Sequence, residues 1–107
     1  MHAAVAALAA LLVAASLAGC STERACPETN AHVRADSGGT EDIHVTRDDG
    51  TAAVIHLAKA TIYRGSGASC TPSTSSAIFI GTELDLHVTA WAESDPVQAT
   101  PDIVILR

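Results

Sequence analysis

Residues 43–57 of this 107-residue chain read IHVTRDDGTAAVIHL and carry its strongest local structural signal. Apolar Ile43 and Val45 alternate with polar neighbours, which is the period of a strand with one buried face. The sequence DDG at residues 48–50 is a hairpin-turn signal, and residues 51–57 return as the partner strand. The pattern predicts a β-hairpin and favours an all-β domain.

Short strands are also predicted on both sides of this hairpin. Glu83 and Asp85 face one way, and the apolar residues of the same stretch face the other, namely Leu84, Leu86, Val88 and Ala90. No stretch after the N-terminal segment has a helical period. Five short strands with a long early hairpin match the strand order of an OB fold. We therefore predict a small five-stranded OB-like Greek-key barrel. The strands outside the hairpin are predicted at residues 32–35, 58–64 (extending or following the hairpin), 78–90 and 102–106.

The N-terminus has the pattern of an exported lipoprotein. Residues 3–18 are uncharged and too short to span a bilayer, and LAGC follows at residues 17–20. This string resembles the lipobox of bacterial lipoproteins, which implies cleavage before Cys20 and acylation of its thiol. An ordinary secreted or uncleaved segment is the alternative. The predicted organisation is a signal peptide at 1–19, a polar tether at 20–30 and the β domain at 31–107.

Cys26 and Cys70 remain as an even pair once Cys20 is assigned to lipid. In an oxidising compartment, a disulfide is the expected state of such a pair. Two free thiols or a metal site are the alternatives, and the metal site is disfavoured because neither cysteine belongs to a CxxC motif.

The charge balance restricts the partners. Twelve acidic residues against six basic ones give a net charge of −6. Nucleic acid and anionic lipid both need a basic surface, so neither is expected to bind through charge. The membrane contact is predicted to be the N-terminal lipid anchor.

Two further stretches carry a family resemblance. ATIY at residues 60–63, followed by FIGTELDLHV at residues 79–88, resembles small exported bacterial OB-fold domains. ESDPVQATPDIVI at residues 93–105 resembles the tail of the YobA-like lipoproteins. The resemblance implies an OB fold and a lipidated N-terminus. It implies no activity and no catalytic residue.

Four histidines are candidate metal ligands, namely His32, His44, His56 and His87, and the last three form the preferred set. Each stands alone in a predicted strand, so a zinc or copper site would need ligands from several strands. Solvent-facing or capping histidines are the simpler interpretation, and no cofactor is predicted.

An acidic face is the candidate surface for a protein partner. Glu83, Asp85 and Glu93 could attract a basic exported protein, as in an inhibitor or immunity-type lipoprotein, and Trp91 could serve as an aromatic anchor. Trp91 could instead close one end of the barrel.

No catalytic activity is predicted. Asp85 and His87 share a strand face, but strand alternation explains both residues, and no GxSxG nucleophile motif accompanies them. The leading hypothesis is a binding or structural module of the cell envelope with an unidentified extracytoplasmic protein partner. It would be lipid-anchored on the extracytoplasmic side of a bacterial membrane, and on the outer membrane where the organism has two.

Overall fold

The computed structural model describes residues 24–39 and 41–107. The predicted signal peptide and Cys20 lie outside the described residues. Within those ranges the only helical element is the 3-10 turn Ser75–Ala77, and no helix is long and apolar enough to cross a membrane. The all-β class is confirmed.

The described chain contains eight strands where five were predicted. Strand β5 lies inside a Gly/Ser/Thr-rich segment, and β7 lies between two prolines, so neither has the alternation that marks a strand in sequence. The strands are β1 Ala31–Ala35, β2 Asp42–Arg47, β3 Ala52–His56, β4 Thr61–Ser66, β5 Ser69–Pro72, β6 Glu83–His87, β7 Val97–Ala99 and β8 Ile103–Leu106.

All eight strands belong to one mixed sheet. Its order is β5-β4-β8-β6-β1-β2-β3-β7, with β5 and β7 at the two edges. The pairs β4–β8 and β3–β7 are parallel, and the other neighbours are antiparallel. The sheet is not closed, and the predicted five-stranded barrel is not confirmed.

The hairpin formed by β2 and β3 lies where the alternation predicted it. Ile43 pairs with Ile55 and Val45 with Ala53, so all four apolar side chains face the core. Gly50 has a φ of 87° at the turn, a conformation that favours glycine. The hairpin prediction is confirmed.

Strand β6 has the predicted division into a buried and a polar face. Leu84 and Leu86 are fully buried, and Val88 just beyond the strand is also buried. Ala90 was predicted on the same buried face but is exposed, because the strand ends at His87 and the alternation does not continue past that point.

The core lies on one face of the curved sheet and is almost entirely aliphatic. It contains Val33, Ala35, Ile43, Val45, Ala53, Ile55, Leu57, Ile78, Leu84, Leu86, Val88, Ala99, Val104 and Leu106.

The predicted disulfide between Cys26 and Cys70 is confirmed. It joins two Cα atoms 4.9 Å apart across a sequence separation of 44. Arg24 and Cys70 also exchange backbone hydrogen bonds of 3.0 and 2.6 Å. The side-chain amide of Asn30 then bonds the backbone of Val88 in both directions, at 2.8 and 2.9 Å. The segment before β1 is therefore fastened to the domain at both ends.

Candidate functional site: the outer face of the sheet

The face of the sheet opposite the aliphatic core is polar, and we call it the outer face. Strand alternation places every second residue of β1, β2, β3 and β6 on it. Its members are His32, Arg34, Asp42, His44, Thr46, Ala52, Val54, His56, Glu83, Asp85 and His87.

His32 lies between two carboxylates on this face. Its Nδ1 is 2.6 Å from Asp48 Oδ1, and its Nε2 is 2.6 Å from Glu83 Oε1. The hydrogen bond to Asp48 raises the pKa of His32 above its ordinary value, while partial burial opposes this increase. The arrangement places a carboxylate oxygen within ion-pair distance of each ring nitrogen and stabilises the charged imidazolium.

Two more histidines form the same kind of pair with an aspartate. His56 Nδ1 is 2.8 Å from Asp42 Oδ1 on the neighbouring strand, and this bond raises the pKa of His56. His87 Nδ1 is 2.7 Å from Asp102 Oδ1, and this bond lowers the pKa of Asp102. The first pair therefore favours the charged imidazole of His56, and the second favours the ionised carboxylate of Asp102.

The candidate metal ligands His44, His56 and His87 are not brought together. His44 pairs with Val54, which puts it diagonal to His56 on the outer face. His87 lies on β6, three strands away from β3 in the sheet order. Within residues 24–39 and 41–107, no group of three or more His, Cys, Asp or Glu side chains could hold a metal ion. The zinc or copper site stays a prediction.

Glu83 and Asp85 both contact cationic side chains of the same chain. Glu83 faces His32, and Asp85 Oδ2 is 3.0 Å from Arg107 Nε. The Asp85 side chain is only 26% exposed. A basic partner would therefore have to compete with these internal contacts.

Trp91 and Glu93 form a separate cluster with Arg47. The Arg47 guanidinium lies 4.9 Å from the Trp91 ring centroid, and it donates two hydrogen bonds to Glu93, at 3.0 and 3.2 Å. Arg47 has the parity of Val45 and so belongs to the core face, opposite Glu83. The four acidic-face candidates are therefore divided between two surfaces.

Trp91 is half-buried and packs against the core. The ring is thus partly covered by the core, and its closure of one end of a barrel stays a prediction. The cation–π contact adds to this packing, because a guanidinium over an indole face is attracted by the ring quadrupole.

The pairing of His32 with carboxylates is not evident in the sequence. The sequence predicts Asp48 in the hairpin turn, and the structure places it there. Strand β1 pairs with β2 so that Val33 lies opposite Arg47, and the same register continued by one position brings residue 48 beside residue 32. Knowledge of this strand pairing is the signal that could have found the His32–Asp48 contact.

Comparison with protein-family models, with characterised proteins and with solved structures gives no significant match. The resemblance to the YobA-like lipoproteins is therefore not confirmed.

Proposed function

We propose that this chain is a bacterial lipoprotein whose β domain is held on the extracytoplasmic side of a membrane. The observation that carries the proposal is the cysteine arrangement. The Cys26–Cys70 disulfide uses two of the three cysteines and leaves Cys20, the cysteine of LAGC, for the lipid. Disulfides persist in oxidising compartments, which supports an exported domain.

The short distance between anchor and domain also supports this proposal. Cys20 precedes Arg24 by four positions, and the backbone of Arg24 is already hydrogen-bonded to the backbone of Cys70. Four residues span at most about 14 Å when extended. The domain would therefore lie close to the membrane surface.

We propose that the domain serves as a binding or structural module. Its outer face carries histidine–carboxylate pairs and the Arg107–Asp85 pair, and the two partners of each pair lie on different strands or on the segments next to them. Such pairs hold side chains in fixed positions, which suits a recognition surface. The partner is expected to be another extracytoplasmic protein.

We further propose that the domain is OB-like. Strands β3 and β4 follow one another along the chain, separated only by residues 57–60, and can be treated as one bent strand. The joined strand then pairs with β2 at one end and with β8 at the other. Because β8 pairs with β6, β6 with β1 and β1 with β2, the neighbour relations would form a ring of five.

Metabolic labelling with a palmitate analogue in a bacterial host tests the anchor. The unsubstituted chain should be labelled and sediment with membranes, while Cys20→Ser should be unlabelled. Ser21→Ala is the matched control and should behave like the unsubstituted chain. Label that persists in Cys20→Ser, or an unlabelled parent chain, would overturn the proposal.

A further inference from the structure

Phe79 and Ile80 form an exposed apolar pair at one end of the sheet, which we call the apolar tip. Phe79 is 66% exposed and Ile80 is 77% exposed, and they are the exposed large hydrophobic residues of the described chain. Phe79 is also the chain's single phenylalanine among three aromatic residues. A contiguous apolar pair on the surface of a small domain is a feature of contact sites.

The tip is presented by a fixed turn. Ile78 before it is buried, and its carbonyl accepts a hydrogen bond from Gly39. The backbone N–H of Phe79 donates to Thr82 Oγ1, and the N–H of Thr82 donates to the Phe79 carbonyl, both at 3.0 Å. Gly81 follows with a φ of 92°. These bonds hold both side chains away from the core.

The tip lies at the end of the sheet where the anchor segment enters. Gly81 donates to the carbonyl of Ala35, the last residue of β1. Strands β1 and β8 are both antiparallel to β6, so both end beside the start of β6. Strand β4 runs parallel to β8 and extends beyond its end. There Gly65 of β4 pairs with Cys70, and the backbone of Cys70 is hydrogen-bonded to that of Arg24. The tip and the start of the described chain therefore lie at the same end of the strands.

We propose that the apolar tip inserts into the membrane leaflet that carries the Cys20 lipid. This inference rests on the proposed lipid anchor. Arg24 follows Cys20 by only four positions, which keeps this end of the sheet within reach of the bilayer. Insertion then removes the two side chains from water without moving the anchor. The domain then has one fixed orientation, with the opposite end of the strands directed away from the membrane.

The insertion is apolar and not electrostatic. The chain carries a net charge of −6, which repels an anionic surface. Insertion should therefore occur in zwitterionic vesicles and should not increase when anionic lipid is added.

Tryptophan quenching by lipid tests the orientation. The full chain, with acylation of Cys20 verified by intact mass, is reconstituted in phosphatidylcholine vesicles that carry bromine on their acyl chains. Phe79→Trp is the reporter, and Ala90→Trp is the matched control because Ala90 is exposed beyond the far end of β6. Trp91 is retained in every chain, and its signal is subtracted with the unsubstituted protein.

The tip reporter should lose about half of its fluorescence while the control is unchanged. Quenching of neither reporter, or equal quenching of both, in a fully acylated chain would overturn the insertion and leave the anchor standing. A dimer detected by cross-linking together with an unquenched tip would assign the tip to a second copy and would also overturn it. A chain without acyl mass would overturn the anchor itself.

Discussion

Removal of the Cys26–Cys70 crosslink should destabilise the domain strongly. The two cysteines are 44 positions apart, so an uncrosslinked chain gains the conformational freedom of a loop of that length when it unfolds. The chain-entropy model gives about 13 cal/mol/K for such a loop, or about 4 kcal/mol at 25 °C. This is a large part of the roughly 5–15 kcal/mol that stabilises a small domain.

Urea unfolding of the full chain in non-ionic detergent measures the effect. Trp91 fluorescence follows unfolding, because this half-buried ring packs against the core. Reduction of the unsubstituted chain should lower the free energy of unfolding by about 4 kcal/mol, and the Cys26→Ala substitution should lower it by the same amount. Cys26→Ala with Cys70→Ala should lose somewhat more, since Cys70 is fully buried and its truncation removes packing.

The slope of the urea dependence provides a second readout. An uncrosslinked unfolded chain is more expanded and exposes more surface, so the slope should increase. A loss below about 1 kcal/mol with an unchanged slope would show that the crosslink does not restrict the unfolded chain, contrary to this prediction.

Three further substitutions test the core, the tip support and the outer face. Leu86→Ala should lower the unfolding free energy by about 2–5 kcal/mol in urea, because the side chain is fully buried; a loss below about 1 kcal/mol would contradict this packing. Gly39→Ala should lower the melting temperature, since a Cβ there would meet the Ser75 carbonyl oxygen, and an unchanged melting temperature would contradict that contact. Asp48 raises the pKa of His32 above 6.5, so this pair stabilises the fold fully below about pH 6.5 and loses its effect as pH rises through the raised pKa. His32→Gln should flatten that decline in a melting-temperature series from pH 5 to 9, and an unaltered decline would assign it to another group.

The strands that were predicted from the sequence are those whose apolar and polar residues alternate within a short stretch of the chain. Ile43 and Val45 alternate with polar residues, and a turn with Gly50 follows, so the hairpin is determined within 15 residues. Leu84 and Leu86 mark β6 in the same way. These patterns depend on which face of a strand meets the core, and that face is visible in the sequence.

Strands β5 and β7 could not be found in this way. Strand β5 forms a hairpin with β4 through a turn at Gly67 and Ala68, but its Ser- and Thr-rich sequence has no apolar alternation that would mark it. Strand β7 forms through a parallel pairing with β3, more than 40 positions earlier. Polar sequences with little alternation become strands when a neighbour supplies the hydrogen bonds, so tertiary context determines them.

The candidate site depended on contacts between distant strands. His32 and Asp48 are 16 positions apart, and Arg47 and Glu93 are 46 apart. Their pairing follows from strand order and register and not from any local motif. The cysteine pair was predictable because only one pairing remained after Cys20 was assigned to lipid.

The most direct test of the proposed function is the intact mass of the protein purified from membranes of its native host, measured with and without a reductant. The expected species is a chain that lacks residues 1–19, carries a diacylglyceryl group on Cys20 and gains the mass of two hydrogens on reduction. An unlipidated chain whose mass does not change on reduction would contradict both the anchor and the oxidising compartment.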